Sequence, residues 1–324
     1  MAIFEGKDCL APISKVGKII IKEGTSQDAL YTFCIPSYKR SKDLKEALDS
    51  VFDQKTKIPF NVLISDNNPD REDETELLIQ TYYSNKDNLW YIKNAENLGM
   101  AGNWNRLILE CKSEYMIMLH DDDVLFPFFL ERIDNIRKIH PDLSALNTGK
   151  KVGAVPVLEK NVRGTGKVYK HTAKTDYCKF FFEAPTGCLL KVSDLKEVGG
   201  FDPETYPSID YVCIMKLCLA GKIVLKTDEK LMFCRDVENT TARLETQMKW
   251  LDIDYNMKTE LKELLGISNI MYKVTLWFEL KMRLYVIKKL KSDVQYRDYK
   301  PGSKIFCVLY GLYVCYFKKK LIVV

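Results

Sequence analysis

The amino-acid sequence predicts an α/β fold whose mostly parallel, doubly wound sheet carries functional groups along one edge. Short apolar segments alternate with amphipathic segments of helical period over residues 30–119, a pattern typical of a sheet covered by helices on both faces. Polar residues follow each apolar segment, and the aspartates Asp121–Asp123 follow the last one. With 324 residues, the chain is long enough for one large domain with additions, or for two domains.

The predicted strands are short apolar runs rich in Ile, Phe and Tyr. Such residues favour extended backbone, and runs of this length are typical of buried strands. The five runs in the first part of the chain are Lys18–Ile21, Leu30–Ile35, Phe60–Ile64, Leu89–Ile92 and Tyr115–Leu119.

The predicted helices lie between these strands. In residues 41–54 the apolar side chains recur at helical spacing, and Ser41 is a plausible N-cap. Further helices are predicted at about residues 72–84 and 101–111. Strands and helices that alternate in this way predict a mostly parallel, doubly wound sheet.

The pattern is less regular from about residue 144 to residue 239. Pro185–Leu190 predicts a turn that leads into a buried strand, and Gly199–Asp202 predicts another turn. Tyr211–Ala220 is apolar at helical spacing, Lys222–Leu225 predicts a strand, and residues 241–290 are expected to be largely helical.

Charge is spread unevenly along the chain. Met271–Val324 carries 12 Lys and Arg against 3 Asp and Glu, a net charge of +9, whereas the remainder has a net charge of −4. The apolar and aromatic segment 305–317 precedes Lys318–Lys320, which favours a helix lying in a membrane interface over anionic lipid. The alternative is a helix packed on the body or at a subunit interface. Nucleic acid is not expected, because the aromatic residues form a block instead of alternating with basic residues.

The cysteine and terminal patterns predict a protein of the reducing cytosol. The ten cysteines form no CxxC pair, and several lie in apolar runs, so we expect buried free thiols. No signal-peptide pattern is present at the N-terminus, and no apolar segment reaches the ~18 residues needed to span a bilayer. His140 and His171 are expected to lie at the surface.

The polar ends of the predicted strands should meet at one edge of the sheet. In a parallel sheet the carboxyl ends point the same way, so Ser37–Tyr38, Asp66–Asn67, Asn94–Asn97 and Asp121–Asp123 can reach one ligand. Carboxylate oxygens suit Mg²⁺ or Mn²⁺, which often hold phosphates. A solvated acidic turn is the alternative. No G-x-G-x-x-G follows the first strand, which argues against a dinucleotide-dependent dehydrogenase.

Five ordered motifs resemble glycosyltransferase family 2, and the resemblance covers about residues 30–240. The motifs are Phe33–Arg40, Ala47–Gln54, Leu63–Asn68, Asn94–Gly99 and His120–Pro127. The resemblance implies a GT-A fold, the Rossmann-like mixed α/β sheet of nucleotide-diphospho-sugar transferases, here with a helical C-terminal extension. The implied organisation is an N-terminal extension (1–28), a catalytic domain (29–240, with nucleotide-binding half 29–127 and acceptor-binding half 128–240) and a basic, membrane-associating helical region (241–324).

The resemblance also implies an activity. An inverting enzyme of this kind moves a sugar from a UDP- or dTDP-sugar to a glycan acceptor, here expected to be polyprenyl-linked, during the synthesis of cell-surface polysaccharide such as capsule. The expected cofactor is Mn²⁺ or Mg²⁺, and the expected location is the cytoplasmic face of the cell membrane.

The family motifs imply roles for individual residues. Pro36 and Tyr38 would border the base, Asp66 would accept a hydrogen bond from it, and Asn97 would lie near the nucleotide. Asp122 would bind the metal, and Asp121 would bind the metal or the ribose. Asp123 would support these carboxylates without touching the metal, or would lie near the donor sugar. Arg235 is either a phosphate or acceptor contact or a plain salt-bridge partner. Asp210 matches the general base that an inverting transfer needs, and its alternative role is a helix N-cap.

The sequence departs from the family pattern at four positions. His120 stands where the acidic motif usually begins with Asp, and Trp104 stands where the family often has Arg. Ile209 replaces the Glu that often precedes the base, and Val237 replaces a His that can complete the metal site. These departures leave the orientation of the donor and the third metal ligand open.

Two other classes of function compete with this interpretation. Sugar-phosphate nucleotidyltransferases also combine a doubly wound sheet, paired carboxylates and Mg²⁺, but they carry a glycine-rich loop after the first strand, which Pro36–Arg40 lacks. A degenerate module that binds a membrane or a partner without catalysis is the second alternative, and the departures at Trp104, Ile209 and Val237 keep it open.

Overall fold

The computed structural model describes residues 2–25, 28–156, 164–178, 185–235, 243–290 and 304–324. Within these residues one mixed sheet of 11 strands forms the centre of the molecule. The strands are β1 (Lys18–Lys22), β2 (Tyr31–Ser37), β3 (Phe60–Asp66), β4 (Leu89–Asn94), β5 (Tyr115–Met118), β6 (Val124–Leu125), β7 (Leu143–Gly153), β8 (Val168–His171), β9 (Cys188–Lys191), β10 (Ile223–Arg235) and β11 (Ile322–Val323).

Helices cover both faces of this sheet, and three more follow at the C-terminal end. They are α1 (Ala11–Ser14), α2 (Ser41–Phe52), α3 (Glu74–Tyr82), α4 (Gly99–Glu110), α5 (Phe129–Ile139), α6 (Ala173–Cys178), α7 (Val192–Glu197), α8 (Ile209–Leu219), α9 (Leu244–Leu265), α10 (Asn269–Leu290) and α11 (Lys304–Lys318).

The strand order is β1-β4-β3-β2-β5-β9-β7-β10-β8-β11, with β6 paired to β10. The strands β4, β3, β2 and β5 are parallel, whereas β9 lies antiparallel between β5 and β7. Helical crossovers α2, α3 and α4 connect the parallel strands, as the alternating pattern predicts. The carboxyl ends of these four strands therefore lie along one edge.

The structure confirms the predicted elements of the first half, with ends that shift by only a few residues. The predicted N-cap at Ser41 is wrong. Arg40 occupies the N-cap position of α2 with no side-chain cap, and Ser41 is the first helical residue. The Ser41 hydroxyl instead donates a hydrogen bond to the Glu74 carboxylate at 2.9 Å, which joins the first turns of α2 and α3.

The second half contains long strands that the sequence pattern did not reveal. The sequence pattern predicts only the segment Lys222–Leu225 of β10. The strand in fact continues to Arg235 and pairs in parallel with β7. The register shifts between Lys226 and Lys230. The charged residues at this irregularity interrupt the apolar alternation from which a strand would be recognised.

Two apolar layers form the core, one on each face of the sheet. Alternate residues of β2 divide between them: Tyr31, Phe33 and Ile35 pack with α2, α3 and α5, whereas Cys34 packs with α4, α7 and α8. This division follows from the two-residue repeat of side chains along a strand. The six buried cysteines among the nine described ones are free thiols, as expected.

The C-terminal helices form a third apolar cluster against α6 and α8. Tyr313 and Phe317 of α11 are buried there, and the Tyr313 hydroxyl donates a hydrogen bond to the carbonyl of Cys178 and lies 3.3 Å from the Thr275 hydroxyl. The packed helix considered above as the alternative is therefore realised on one face of α11. Among the described residues, no helix is long and apolar enough to cross a membrane.

The histidine expectation is wrong for His171. This side chain is buried, and its Nδ1 lies 2.9 Å from a carboxylate oxygen of Asp176. Neighbouring lysines suggested a solvated segment, but His171 ends β8, which pairs with β10, and its ring is buried against Asp176 of α6.

We predict that Tyr313→Ala destabilises the protein far more than Tyr316→Ala. Tyr313 is 7% exposed and Tyr316, one turn away on the same helix, is 54% exposed. Removing the buried ring should lower the free energy of unfolding by about 3 kcal/mol, and removing the exposed ring by less than about 1 kcal/mol. Urea denaturation measures both, and equal losses would show that α11 is not docked as described.

Candidate active site at the carboxyl edge of the sheet

The parallel register brings the polar strand ends together. Ser37 pairs with Asp66 across β2 and β3, and Cys34 pairs with Met118 across β2 and β5. The chain then turns, and the backbone N–H of Tyr38 points at a carboxylate oxygen of Asp121 at 3.4 Å. Residues about 85 positions apart thus share one edge, as the topology predicts.

Hydrogen bonds between buried side-chain amides hold the ends of the strands at this edge together. Asn103 of α4 accepts hydrogen bonds from the Ser65 hydroxyl at 2.7 Å and from Asn94 at 3.0 Å, and donates to the carbonyl of Ser65 at 3.0 Å. Arg106 donates to the side chain of Asn94 at 3.0 Å. Buried polar groups that satisfy one another in this way rigidify a structure, so the ends of β3 and β4 are fixed relative to α4.

Asp66 lies in a fully buried ion cluster. Its Oδ2 atom accepts from Lys93 Nζ at 2.9 Å and from the Tyr91 hydroxyl at 2.8 Å, and its Oδ1 atom accepts from the backbone N–H of Asn68 at 2.9 Å. Lys93 also donates to Asp73 at 2.8 Å. Burial raises the pKa of Asp66, and these hydrogen bonds oppose the rise. The role of Asp66 in base recognition stays a prediction.

Arg40 is the basic side chain closest to the first two aspartates of the run. Its guanidinium lies 2.5 Å from a carboxylate oxygen of Asp122 and 3.9 Å from one of Asp121. Burial, and then the charge of Asp122, raise the pKa of Asp121 to about 7, while Arg40 opposes the rise. The edge therefore concentrates negative charge that cations must balance.

Asp123 is almost completely buried. Its Oδ1 atom accepts from the backbone N–H of Arg235 at 3.0 Å, whereas its Oδ2 atom accepts no hydrogen bond from the described residues. Burial raises the pKa of Asp123, and the charge of His120 opposes the rise. His120 Nδ1 lies 3.9 Å from Asp123 Oδ2.

The described residues offer a group of side chains that fits a metal ion. Three donor atoms, one each from His120, Asp122 and Asp123, lie within 4.8 Å of one another. An unsatisfied buried carboxylate oxygen is costly, and an ion would supply its missing partner. The group includes Asp122, the predicted metal ligand, together with His120 and Asp123. Asp121, the other predicted ligand, is not in this group. Its carboxylate lies near the backbone N–H of Tyr38 and the guanidinium of Arg40.

His120 lies against a large aromatic side chain. Its ring stacks on the ring of Trp104 with centroids 5.6 Å apart and an angle of 20° between planes, and Trp104 in turn meets Phe201 edge-on. Two positions at which the sequence departs from the family pattern are therefore in contact with each other.

Arg235 is held by carboxylates on α2. Its guanidinium pairs with Asp43 at 3.1 Å and with Glu46. In this structure the side chain makes the salt bridges that were the alternative to a phosphate contact. The position of Val237 lies outside the described residues.

Asp210 lies in the first turn of α8, where it is partly buried. Burial raises its pKa, and the backbone N–H groups of Tyr211 and Asp210, followed by the charges of Lys150 and His120, oppose the rise. The N-cap of this helix is Ser208. The charge of His120 is the smallest of these influences, and the role of Asp210 as the general base stays a prediction.

The remaining predicted nucleotide contacts lie at the rim. Tyr38 is exposed, with Lys39 Nζ 5.6 Å from its ring centre, and Pro36 is buried in β2. Asn97 is exposed and accepts hydrogen bonds from the Asn67 side chain at 2.7 Å and from the backbone N–H of Gly99 at 2.9 Å. The Asn97 side chain therefore satisfies the backbone N–H of Gly99, the first residue of α4, whose N-cap is Leu98.

Sequence reasoning missed three residues of this edge. Arg40 and His120 belong to motifs named above, but the sequence does not reveal that Arg40 pairs with Asp122 or that His120 stacks on Trp104. Lys93 ends an apolar strand, where a lone lysine signals burial with a carboxylate partner, and it was not considered.

Comparison with known proteins identifies related sequences and folds. The sequence profile described as "Glycosyl transferase family 2" matches residues 32–199. An uncharacterised glycosyltransferase of Methanocaldococcus jannaschii is 31% identical over 259 residues, which are 76% of this chain and 84% of that protein. The abequosyltransferase RfbV of Salmonella typhimurium is 33% identical over 98 residues, covering 30% of this chain and 29% of RfbV.

Solved structures of low sequence identity share the fold. TarS of S. aureus in complex with UDP-GlcNAc superposes with a TM-score of 0.56 at 17% identity, over 82% of this chain and 83% of that one. The mannosyltransferase PcManGT of Pyrobaculum calidifontis, in complex with GDP-Man and Mn²⁺, gives a TM-score of 0.51 at 13% identity, over 94% and 85%.

We predict that Lys93→Met destabilises the fold strongly. The change leaves Asp66 and Asp73 without their buried cation, which should lower the free energy of unfolding by about 3–5 kcal/mol. Lys45→Met is the control, because Lys45 forms a largely exposed pair with Asp49 that contributes less than about 1 kcal/mol. Chemical denaturation compares the two, and similar losses would contradict a structural role for the Lys93 cluster.

Proposed function

The chain belongs to glycosyltransferase family 2 and has the GT-A fold, and from this premise we propose that it is an inverting, metal-dependent transferase. The donor is a UDP- or dTDP-sugar, and the acceptor is a lipid-linked glycan of a cell-surface polysaccharide such as capsule. The observation that carries the proposal is the grouping of His120, Asp122 and Asp123 at the carboxyl edge of the sheet.

The donor binds along the edge formed by β2, β3 and β5. Tyr38 offers an exposed ring for stacking on the base, with Pro36 beside it and Asp66 below as the acceptor for the base N–H. Asn97 borders the nucleotide, and Asp121 binds the ribose. In support, TarS, whose fold is similar, was solved with UDP and with UDP-GlcNAc. Uracil and thymine share the edge that Asp66 would read, so both donor classes fit.

Asp122 is the primary residue for holding a divalent cation, Mn²⁺ or Mg²⁺. Such an ion supplies positive charge to the diphosphate as it leaves. Arg40 is close enough to the same carboxylates to contribute further positive charge. Arg235 reaches the diphosphate or the acceptor only if it leaves Asp43 and Glu46.

Asp210 acts as the general base. The acceptor hydroxyl oxygen forms a bond to the anomeric carbon of the donor sugar, and the bond between that carbon and the diphosphate oxygen breaks. The hydroxyl proton passes to the Asp210 carboxylate, and the nucleoside diphosphate leaves with the electron pair. Burial raises the pKa of Asp210, which makes it a better proton acceptor than an exposed aspartate.

The C-terminal helices hold the enzyme at the cytoplasmic face of the membrane, close to its lipid-linked acceptor. One face of α11 packs on the body, whereas the opposite face exposes Val308, Leu309, Leu312 and Tyr316. Ile270, Val274 and Trp277 are exposed on α10 at i, i+4 and i+7 spacing. The exposed lysines Lys318–Lys320 lie at the C-terminal end of α11 and just beyond it, and an apolar face beside lysines suits an anionic lipid surface.

We predict that Asp122→Asn and Asp210→Asn separate binding from chemistry. Wild type should show a higher melting temperature with UDP and Mn²⁺ than with UDP and EDTA, because a ligand of the native state stabilises it. Asp122→Asn should lose this shift and transfer, whereas Asp210→Asn should keep the shift and lose transfer by at least about 100-fold.

The control for this pair is Asp70→Asn, which alters an exposed aspartate on the loop after β3. It should retain both the shift and transfer. Melting with dTDP, GDP and CMP in parallel identifies the donor class. Undiminished transfer by either site variant would contradict the assigned role, and no metal-dependent shift with any nucleotide would favour a non-catalytic module.

We predict that Leu312→Glu weakens binding to anionic vesicles by about tenfold, because a Leu inserted in lipid contributes roughly 1.5–3 kcal/mol. Leu77→Glu is the control, since Leu77 on α3 is 63% exposed and Leu312 is 62% exposed. Co-sedimentation with phosphatidylglycerol and phosphatidylcholine vesicles measures both. Equal binding by the two variants would place the membrane contact elsewhere or remove it.

A further inference from the structure

The two departures from the family pattern nearest the acidic run form one contact. His120 replaces an Asp and Trp104 replaces an Arg, and in the structure these two rings stack. An imidazole between a Trp face and a buried carboxylate keeps little rotational freedom. The side chain that replaces the usual carboxylate is therefore fixed in place beside Asp123.

The distance between His120 and Asp123 fits two ligands of one ion. His120 Nδ1 is 3.9 Å from Asp123 Oδ2, too far for a hydrogen bond. Two donor atoms that each lie about 2.1 Å from a metal are separated by at most about 4.2 Å. Asp123 Oδ2 is buried and accepts no hydrogen bond from any described residue, and His120 Nε2 is likewise unpartnered there.

We propose that His120 is a metal ligand, so that the centre of this protein is a mixed nitrogen and oxygen site formed by His120, Asp122 and Asp123. The inference rests on the proposed function and specifies its metal. Three donor atoms within 4.8 Å need only a small inward movement to share an ion. Asp121, which points at Tyr38 and Arg40, is left for the nucleotide.

The donor set determines which metal the site prefers. Magnesium favours oxygen ligands, whereas imidazole binds the later divalent metals better, in the order Mn²⁺ < Co²⁺ < Ni²⁺. Replacing a carboxylate by His120 therefore moves selectivity away from Mg²⁺ and towards Mn²⁺ and Co²⁺. Trp104 is a positioning residue, because it holds the plane of the imidazole without reaching the metal.

The test is pulsed EPR (electron spin-echo envelope modulation) on Mn²⁺ bound to the intact protein, with and without UDP. A directly bound imidazole gives ¹⁴N modulation, which we expect in wild type and in His140→Gln, and not in His120→Gln. His140 is the C-cap of α5 and is not one of the three grouped donors, so it is the matched control. The affinity of His120→Gln for Mn²⁺ should fall by about tenfold or more, since even outer-sphere partners contribute 10- to 100-fold.

A competition measurement with His120→Asp tests selectivity separately from ligation. Restoring the carboxylate should raise the Mg²⁺ affinity relative to the Mn²⁺ affinity by about tenfold. Trp104→Leu should weaken the ¹⁴N modulation while retaining bound Mn²⁺.

Mn²⁺ bound by wild type without ¹⁴N modulation would overturn the inference, and so would an unchanged signal in His120→Gln. If transfer still depends on Asp122 in that case, the proposed function stands. If Mn²⁺ fails to bind with or without UDP, the His120 centre is excluded, and the transfer assay decides the function independently.

Discussion

The acidic run after β5 is the constraint on which the rest of this edge depends. Three consecutive carboxylates repel one another, and two of them, Asp121 and Asp123, are buried, where repulsion is screened least. Arg40 forms ion pairs with Asp121 and Asp122, and the backbone N–H of Arg235 donates a hydrogen bond to Asp123. One buried oxygen of Asp123 is left without a hydrogen-bond donor among the described residues, so these residues do not satisfy the whole carboxylate.

Rigidity at this edge comes from polar groups that lie beneath it. The Asn94, Asn103 and Ser65 hydrogen bonds join β3, β4 and α4, and Lys93 joins Asp66 to the start of α3. Such buried networks stabilise a unique arrangement only when nearly every member is satisfied. Exposed residues such as Tyr38 can then adapt to a ligand while their supports stay fixed.

Much of the first half could be predicted, because period and polarity are local signals. Apolar runs of four to six residues predicted β2 to β5, and helical spacing predicted α2 to α4. The long strand β10 could not be predicted, since its charged middle is stabilised by pairing with β7 and β8, which lie far away in sequence. The burial of His171 depends in the same way on a partner strand, and the start of α2 at Ser41 depends on a contact with α3.

The sequence by itself determined the fold family and the identity of the acidic run, because the motifs that follow the strands consist of residues adjacent in sequence, such as Asp121–Asp123. Only the tertiary structure decided which of these carboxylates lie close to one another and which turn away. It turned Asp121 towards β2, set Asp123 beside His120, stacked Trp104 on that histidine, and buried one face of α11 while exposing the other. The physical reason is that direction, burial and charge balance arise from packing between distant segments, which local sequence does not encode.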